Sequence, residues 1–228
     1  MTERPYVLLS CAMSVDGYID DPTPERLLLS NAEDFDRVDE VRASCDAILI
    51  GSNTIRRDNP RLLVNSEERR AARVARGLPE YPLKVTLTGS GDLDGELKFF
   101  NTGGERVVYC PDRALTKVKT NLGDRADVVA TGETLDFGIM LDDLGTRGIR
   151  RLMVEGGSQV HTRFLTEGLA DEIQLAIAPI FVGGGGPRFV NDGTFINTFR
   201  DRMRVAEVTT VGDVVLVRYI PTKAKLGA

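Results

Sequence analysis

Short apolar runs alternate with polar stretches of helical period along most of this chain. Tyr6 to Met13 (YVLLSCAM) has the length and continuity of a buried strand, and Ala47-Ile48-Leu49-Ile50, ended by Gly51, predicts a second. Leu83 to Thr88 predicts a third. Val107 to Cys110 and Val128 to Ala130 predict two more, with polar helical turns between them. Arg151 to Val154 predicts another, running into Glu155-Gly156-Gly157. Ser30-Asn31-Ala32-Glu33 reads as a capping box, with Ser at the N-cap and Glu at N3. Phe35, Val38, Val41 and Cys45 recur behind it at helical spacing, so a helix is expected to about Cys45. Glu67 to Gly77 predicts an exposed helix ended by Pro79 and Pro82, and Gly89 to Gly95 a loop. Phe137 to Leu144 and Ser158 to Glu167 predict two further helices, the second stopped by Gly168.

The last third changes character. Glu172 to Val182 reads as one long apolar strand, and Met203 to Val211 and Val214 to Tyr219 as a hairpin around Gly212-Asp213. Strands alternating with helices and closed by an antiparallel hairpin predict a three-layer α/β fold with a mixed, mostly parallel sheet. No repeat, low-complexity tract or linker interrupts the pattern, so residues 1–228 are expected to form a single domain.

Composition narrows the function classes. Hydrophobic residues are 42% and charged residues 28% of 228, an ordinary globular balance with core enough to fold without staples. The net charge of −5 predicts no general field for nucleic acid, although a local phosphate pocket is compatible with it. No apolar run approaches the roughly 20 residues needed to span a bilayer, and the first residues lack a signal-peptide pattern. Cys11, Cys45 and Cys110 are odd in number and widely spaced, which fits reduced thiols in a cytoplasm. With His161 the sole histidine and no Cys-x-x-Cys, zinc sites of the usual spacing are excluded, and no metal is expected.

Several segments carry candidate chemistry. Glu155-Gly156-Gly157-Ser158-Gln159 puts two glycines between a strand and a helix start, where close backbone approach and unpaired N–H groups suit a pyrophosphate; a plain tight turn fits the spacing equally well. Neither the Rossmann nor the P-loop glycine pattern occurs. Gly51 to Pro60 crowds hydroxyl, amide and guanidinium groups behind a buried strand, as anion binding at a strand's carboxyl end requires, and as an exposed capped loop also would. Ser14-Val15-Asp16-Gly17 suits a pocket mouth, but as residues alone it reads better as an Asp-Gly turn. Gly183 to Gly186 suits a loop near a ligand or a linker.

In this order the segments resemble the reductase family of riboflavin biosynthesis, over nearly the whole chain. The markers are Ser14-Val15-Asp16-Gly17, Gly51-Ser52-Asn53-Thr54 with Asp58-Asn59-Pro60-Arg61-Leu62, Val154-Glu155-Gly156-Gly157, and Gly168-Leu169-Ala170-Asp171-Glu172 leading to Ala178-Pro179. The resemblance implies a dihydrofolate-reductase-like fold, NADPH as cofactor and a homodimer. It implies cofactor contacts at Ala12, Thr54, Asp58, Thr88, Ser90 and the run Gly156, Gly157, Ser158, Gln159, Val160 and His161. It places Ser14, Asp16, Leu62 and Glu155 at the substrate; Arg61 is a further candidate there, and Asp58 and Glu155, ahead of Asp16, are the candidate catalytic carboxylates.

The implied reaction reduces a ribosylamino-pyrimidine 5′-phosphate to its ribitylamino product, with a carboxylate stabilising the protonated imine. Two positions depart from the family pattern. Ser10 stands where bacterial members carry lysine and archaeal ones asparagine, and Asn65 where the bacterial ones carry a substrate-phosphate arginine, a role that Arg61 or Arg37 would have to fill. The alternatives are a same-fold NADPH reductase of a dihydropterin or other imine, and a non-catalytic nucleotide-binding protein.

Overall fold

The computed structural model describes residues 3–222 apart from 24 and 26. The elements run β1 (Tyr6–Ser14), α1 (Ala32–Ser44), β2 (Ala47–Gly51), α2 (Ser52–Asp58), α3 (Glu67–Ala75), β3 (Leu83–Leu87), α4 (Lys98–Asn101) and β4 (Arg106–Cys110). They continue with α5 (Asp112–Leu122), β5 (Asp127–Ala130), α6 (Phe137–Thr146), β6 (Arg151–Val154), α7 (Ser158–Thr166), β7 (Glu172–Ala178), β8 (Arg204–Val211) and β9 (Val214–Ile220). The chain divides into two compact units: the residues up to Pro5 with Asp39–Met153, and Tyr6–Val38 with the chain from Val154 on.

In the first unit the strands lie in the order β5-β4-β3-β2-β6. The pairs β2–β3, β3–β4 and β4–β5 are parallel, with Ile48 opposite Lys84 and Val85 opposite Val107. All five residues of β2 are buried, as a strand covered on both faces requires. Ile48, Ile50, Ile55, Leu62, Phe99, Val108 and Val118 share one core cluster. The α5 helix buries Ala114, Val118 and Leu122 at four-residue spacing. The pattern predicts polar helical turns here, and the full extent of the helix is masked because charged residues stand between those positions.

In the second unit β1 pairs in parallel with β7, β7 pairs antiparallel with β9, and β9 with β8. Mostly parallel strands closed by an antiparallel pair make the mixed α/β fold that the pattern predicted. The long apolar strand is shorter than expected: β7 stops at Ala178, because Pro179 has no N–H to continue a ladder and Ile180 turns its N–H back to Ala178. The run that follows is irregular.

The start of α1 also differs from the sequence expectation. Asn31, not Ser30, caps the helix, its Oδ1 accepting the Asp34 N–H at 2.8 Å. The helix ends at Ser44, and its inward residues include Asp34, Asp39 and Ala43, whereas Phe35 is 44% exposed. Asp34 and Asp39 tolerate burial because each meets donors, Asp34 from Arg37 and Asp39 from Arg69 and two backbone N–H groups. At the far end of the chain's helices, α7 closes as expected on Gly168, at φ +66°, with the Leu169 N–H reaching back to Phe164 O.

Candidate active site

In the first unit the candidate residues collect behind β2 and β3. The segment from Ser52 to Asp58, one of the readings of which was a capped loop, is the helix α2, too short to show a period and burying only Ile55. Thr54 is half-buried on it, and Asp58 is exposed at its last turn. Asn59 ends α2 in the left-handed conformation, φ 43°, with its N–H on Ile55 O. Its Oδ1 accepts the Lys98 N–H at 2.7 Å, so one asparagine closes α2 and meets the first N–H of α4.

Leu62 is also left-handed, φ 51°, and is buried in the core cluster. A leucine in that region is strained and is held there by its surroundings. Arg61, next to it, is exposed and directs an Nη to Asn65 Oδ1 at 3.3 Å. Lys84, the second residue of β3 and fully buried, meets the carbonyls of Arg61, Phe99 and Thr102. Burial, and after it the charge of Arg106, pulls its ammonium down to about 7. Sequence reading missed Lys84; the one available signal was a charged residue inside the apolar run Leu83 to Leu87.

At the end of β3, Thr88 is buried and its hydroxyl accepts the Gly91 N–H, so it shapes the loop from within. Ser90 is exposed on that loop, its hydroxyl accepting from Asp92 N–H.

In the second unit Ala12 lies half-buried on β1 opposite Ala176. Beyond it, Ser14 to Tyr18 forms a closed turn: Gly17, at φ +84°, donates its N–H to Ser14 O, and Tyr18 donates to the Ser14 hydroxyl. Asp16 accepts from the Ser14 hydroxyl at 2.6 Å and from the N–H groups of Val182 and Gly183. The Ser14 hydroxyl first, and the two backbone donors after it, hold the carboxyl down at about 2. Asp16 is therefore an anchor between the turn and the segment after β7. A cleft of about 520 Å³ opens beside it, lined by Met13, Gly17, Arg188, Phe189 and Asp192 among others. Arg188 stacks on the Tyr18 ring at 4.5 Å and donates to its hydroxyl.

The turn into α7 carries Glu155, half-buried, and then Gly156 and Gly157, joined by a cis peptide bond. Gly156 sits at φ +123°, a backbone state that residues with a Cβ rarely adopt. Val160 and His161 both donate their N–H to Gly157 O, which leaves the N–H groups of Ser158 and Gln159 as the outward donors of the first turn. Val160 is buried, and the His161 ring is fully buried against Phe189, centroids 4.9 Å apart. Among the described residues neither imidazole nitrogen has a well-formed hydrogen bond. Burial lowers the His161 pKa to about 4, with the Val154 and Phe189 backbone pulling weakly the other way. Of the glycine run, it is Gly157, Ser158 and Gln159 that present a surface, while Gly156, Val160 and His161 are buried. Among the described residues no group of His, Cys, Asp and Glu is placed to hold a metal.

Residues 5–217 match the RibD C-terminal domain. The chain belongs to that family. It is 35% identical over 219 residues to the 2,5-diamino-6-ribosylamino-4(3H)-pyrimidinone 5′-phosphate reductase of Methanothermobacter thermautotrophicus, covering 95% of this chain and 98% of the relative. The protein of the same name from Archaeoglobus fulgidus is 33% identical over 215 residues, 92% of this chain and 95% of its own. Among solved structures, the bifunctional deaminase/reductase of Thermotoga maritima superposes with a TM-score of 0.77 at 24% identity, over 96% of this chain and 57% of that one. The riboflavin biosynthesis reductase Rib7 of Saccharomyces cerevisiae gives 0.72 at 18% identity, over 97% of this chain and 93% of that one. At those identities the structures show the fold alone. This RibD-type fold is the dihydrofolate-reductase-like class that the motif order implied.

Proposed function

We propose that this protein is an NADPH-dependent reductase of riboflavin biosynthesis. Its substrate is a ribosylamino-pyrimidine 5′-phosphate and its product the ribitylamino compound. Membership of the RibD C-terminal domain family carries this reading, and the relatives' names favour the diamino pyrimidinone as substrate, before deamination.

The glycine turn fits an anionic cofactor. Gly156 has a backbone state that favours glycine, and α7 offers the Ser158 and Gln159 N–H groups with the positive end of its dipole. These residues would hold the pyrophosphate of NADPH; Ala12, Thr54, Asp58, Thr88 and Ser90 are the further contacts we assign. When bound, the nicotinamide supplies the hydride that ends on ribose C1′. The residues of the chain then have three tasks. Ring opening of the glycosylamine leaves an imine, and a carboxylate, Asp58 or Glu155, stabilises its protonated nitrogen, which becomes the product amine. Ser14 and Leu62 border the pyrimidine. Arg61 pairs with the 5′-phosphate; Arg37 is already engaged with Asp34 and Gln174.

We assign the protein to the cytoplasm, since its cysteines are free thiols, and among the described residues no helix is long and apolar enough to cross a membrane. We also assign it a homodimer. β7 lies inside its sheet between β1 and β9, so the surface for a second copy is β8, an edge strand with Val205 53% and Val208 62% exposed.

The test is to mix the purified protein with NADPH and the aminated or deaminated ribosylamino-pyrimidine 5′-phosphate and follow absorbance at the nicotinamide band. Oxidation with the aminated compound is expected. Silence with both, while NADPH binds, transfers the assignment to another imine substrate; silence without binding leaves only the fold.

A further inference from the structure

The segment from Arg61 to Ser66 is held in an unusual way. It has no strand partner in the sheet, yet its backbone groups are met one after another by charged side chains of the same unit. The Arg61 carbonyl accepts from Lys84 Nζ at 3.1 Å and from the Thr102 hydroxyl at 3.2 Å. The Leu63 carbonyl accepts from Arg42, and those of Val64 and Asn65 from Arg70. Asp39 accepts the N–H groups of Asn65 and Ser66. The buried Asp39 and the half-buried Arg42 and Arg70 anchor one end, and the end that carries Arg61 rests on a fully buried lysine.

Lys84 has no carboxylate partner among its hydrogen bonds. Its Nζ faces three carbonyls, Phe99 at 2.6 Å, Thr102 at 3.0 Å and Arg61, which match the three N–H groups of an ammonium; the Thr102 hydroxyl stands at 3.1 Å. The Phe99 and Thr102 carbonyls also accept from Arg106, so α4 would keep a cation without Lys84. Among the described residues the Arg61 carbonyl has no such second cation. A buried charge is costly, and its distinctive effect here is to fix one backbone position beside the strained Leu62.

We infer that Lys84 is a positioning residue that, through the Arg61 carbonyl, fixes the point from which the Arg61 guanidinium meets the phosphate of the substrate. The inference deepens the proposed function and rests on its phosphate reading. Lys84 touches neither substrate nor cofactor; it sets the register of the segment that does. Selection for the phosphorylated substrate is thus decided from inside the sheet.

The experiment compares wild type, Arg61→Ala, Lys84→Met and Thr102→Val, using the phosphorylated pyrimidine and its dephosphorylated nucleoside as substrates and ribose 5-phosphate as a competitor. Lys84→Met is expected to raise KM for the phosphorylated substrate and Ki for ribose 5-phosphate by about tenfold, as misplacement by a fraction of an ångström does. It should leave KM for the nucleoside, kcat and NADPH affinity within about twofold, and add little to Arg61→Ala in the double variant. Thr102→Val should shift the same constants less. An equal rise of KM for both substrates, or loss in Arg61→Ala with retention in Lys84→Met, overturns the inference alone. Should Lys84→Met not fold, Thr102→Val decides, and unchanged discrimination there overturns it. A wild type that fails to prefer the phosphorylated form overturns the phosphate reading, and this inference with it.

Discussion

The carboxylate of Asp16 accepts the N–H of Gly183 at 2.8 Å, joining the turn that follows β1 to the glycine-rich segment that follows β7. The same carboxylate takes the Val182 N–H and the Ser14 hydroxyl. A side chain read from motif resemblance as a substrate neighbour is thereby an anchor for the segment after β7. Val15 and Ile19 reinforce that link through backbone bonds to Ile180 and Pro187.

Replacing Asp16 by Ala therefore loosens Val182 to Gly186 without touching the sheet. Hydrogen exchange at the Gly183 amide should accelerate by about tenfold or more, while strand amides of β1 and β7 keep their protection. Unchanged exchange at Gly183 would show that the anchor is dispensable. Because the carboxyl is held at about 2, below its ordinary 3.8, its contribution is complete above pH 4 and fades as pH falls through 2.

His161 gives a prediction of the same sign in a higher pH window. Its folded pKa of about 4 lies below the ordinary 6.5, so the unfolded chain binds the proton more readily. Stability is full above about pH 6.5 and falls as the solution is acidified towards 4, by on the order of 3 kcal/mol. In His161→Phe that acid limb should flatten, and NADPH affinity should stay within about threefold, because the ring lends no hydrogen bond to a ligand. A large loss of affinity measured by cofactor fluorescence would instead give the imidazole a direct role.

Asp58 and Glu155 are separable by kinetics. Asp58→Asn keeps the shape and removes the charge, so if it stabilises the protonated imine kcat drops by about a hundredfold with little change in substrate KM. The same measurement on Glu155→Gln completes the comparison; a variant with unchanged kcat leaves the role to the other carboxylate.

Val208→Glu tests the edge of β8. Placing a charge on an exposed strand that a second copy covers should convert a dimer into a monomer in analytical ultracentrifugation. If the wild type sediments as a monomer, or the variant remains dimeric, the interface lies elsewhere.

Most strands were legible because burial on both faces forces continuous apolar runs, as in Ala47 to Ile50 and Tyr6 to Met13. The misjudged elements have equally physical causes. α2 has a single buried residue, Ile55, and no room for a period. β7 looked longer because Pro179 sits among apolar neighbours that continue past the end of the ladder. α1 puts Asp34 and Asp39 inward, which inverts the usual sign of the pattern, and pairing is visible only once their donors arrive from elsewhere.

The glycine turn, the Asp-Gly turn and the order of motifs were set by local chemistry, which the sequence by itself determines: backbone states such as those at Gly17 and Gly156 favour glycine. What each polar side chain touches was decided by the tertiary structure alone. Asp16 anchors the segment after β7, the His161 ring packs against Phe189, and Lys84 holds the Arg61 carbonyl from within a strand. Each of these roles depends on partners distant in the chain, and a hydrogen bond to a distant carbonyl or N–H leaves no trace in residue identity or spacing.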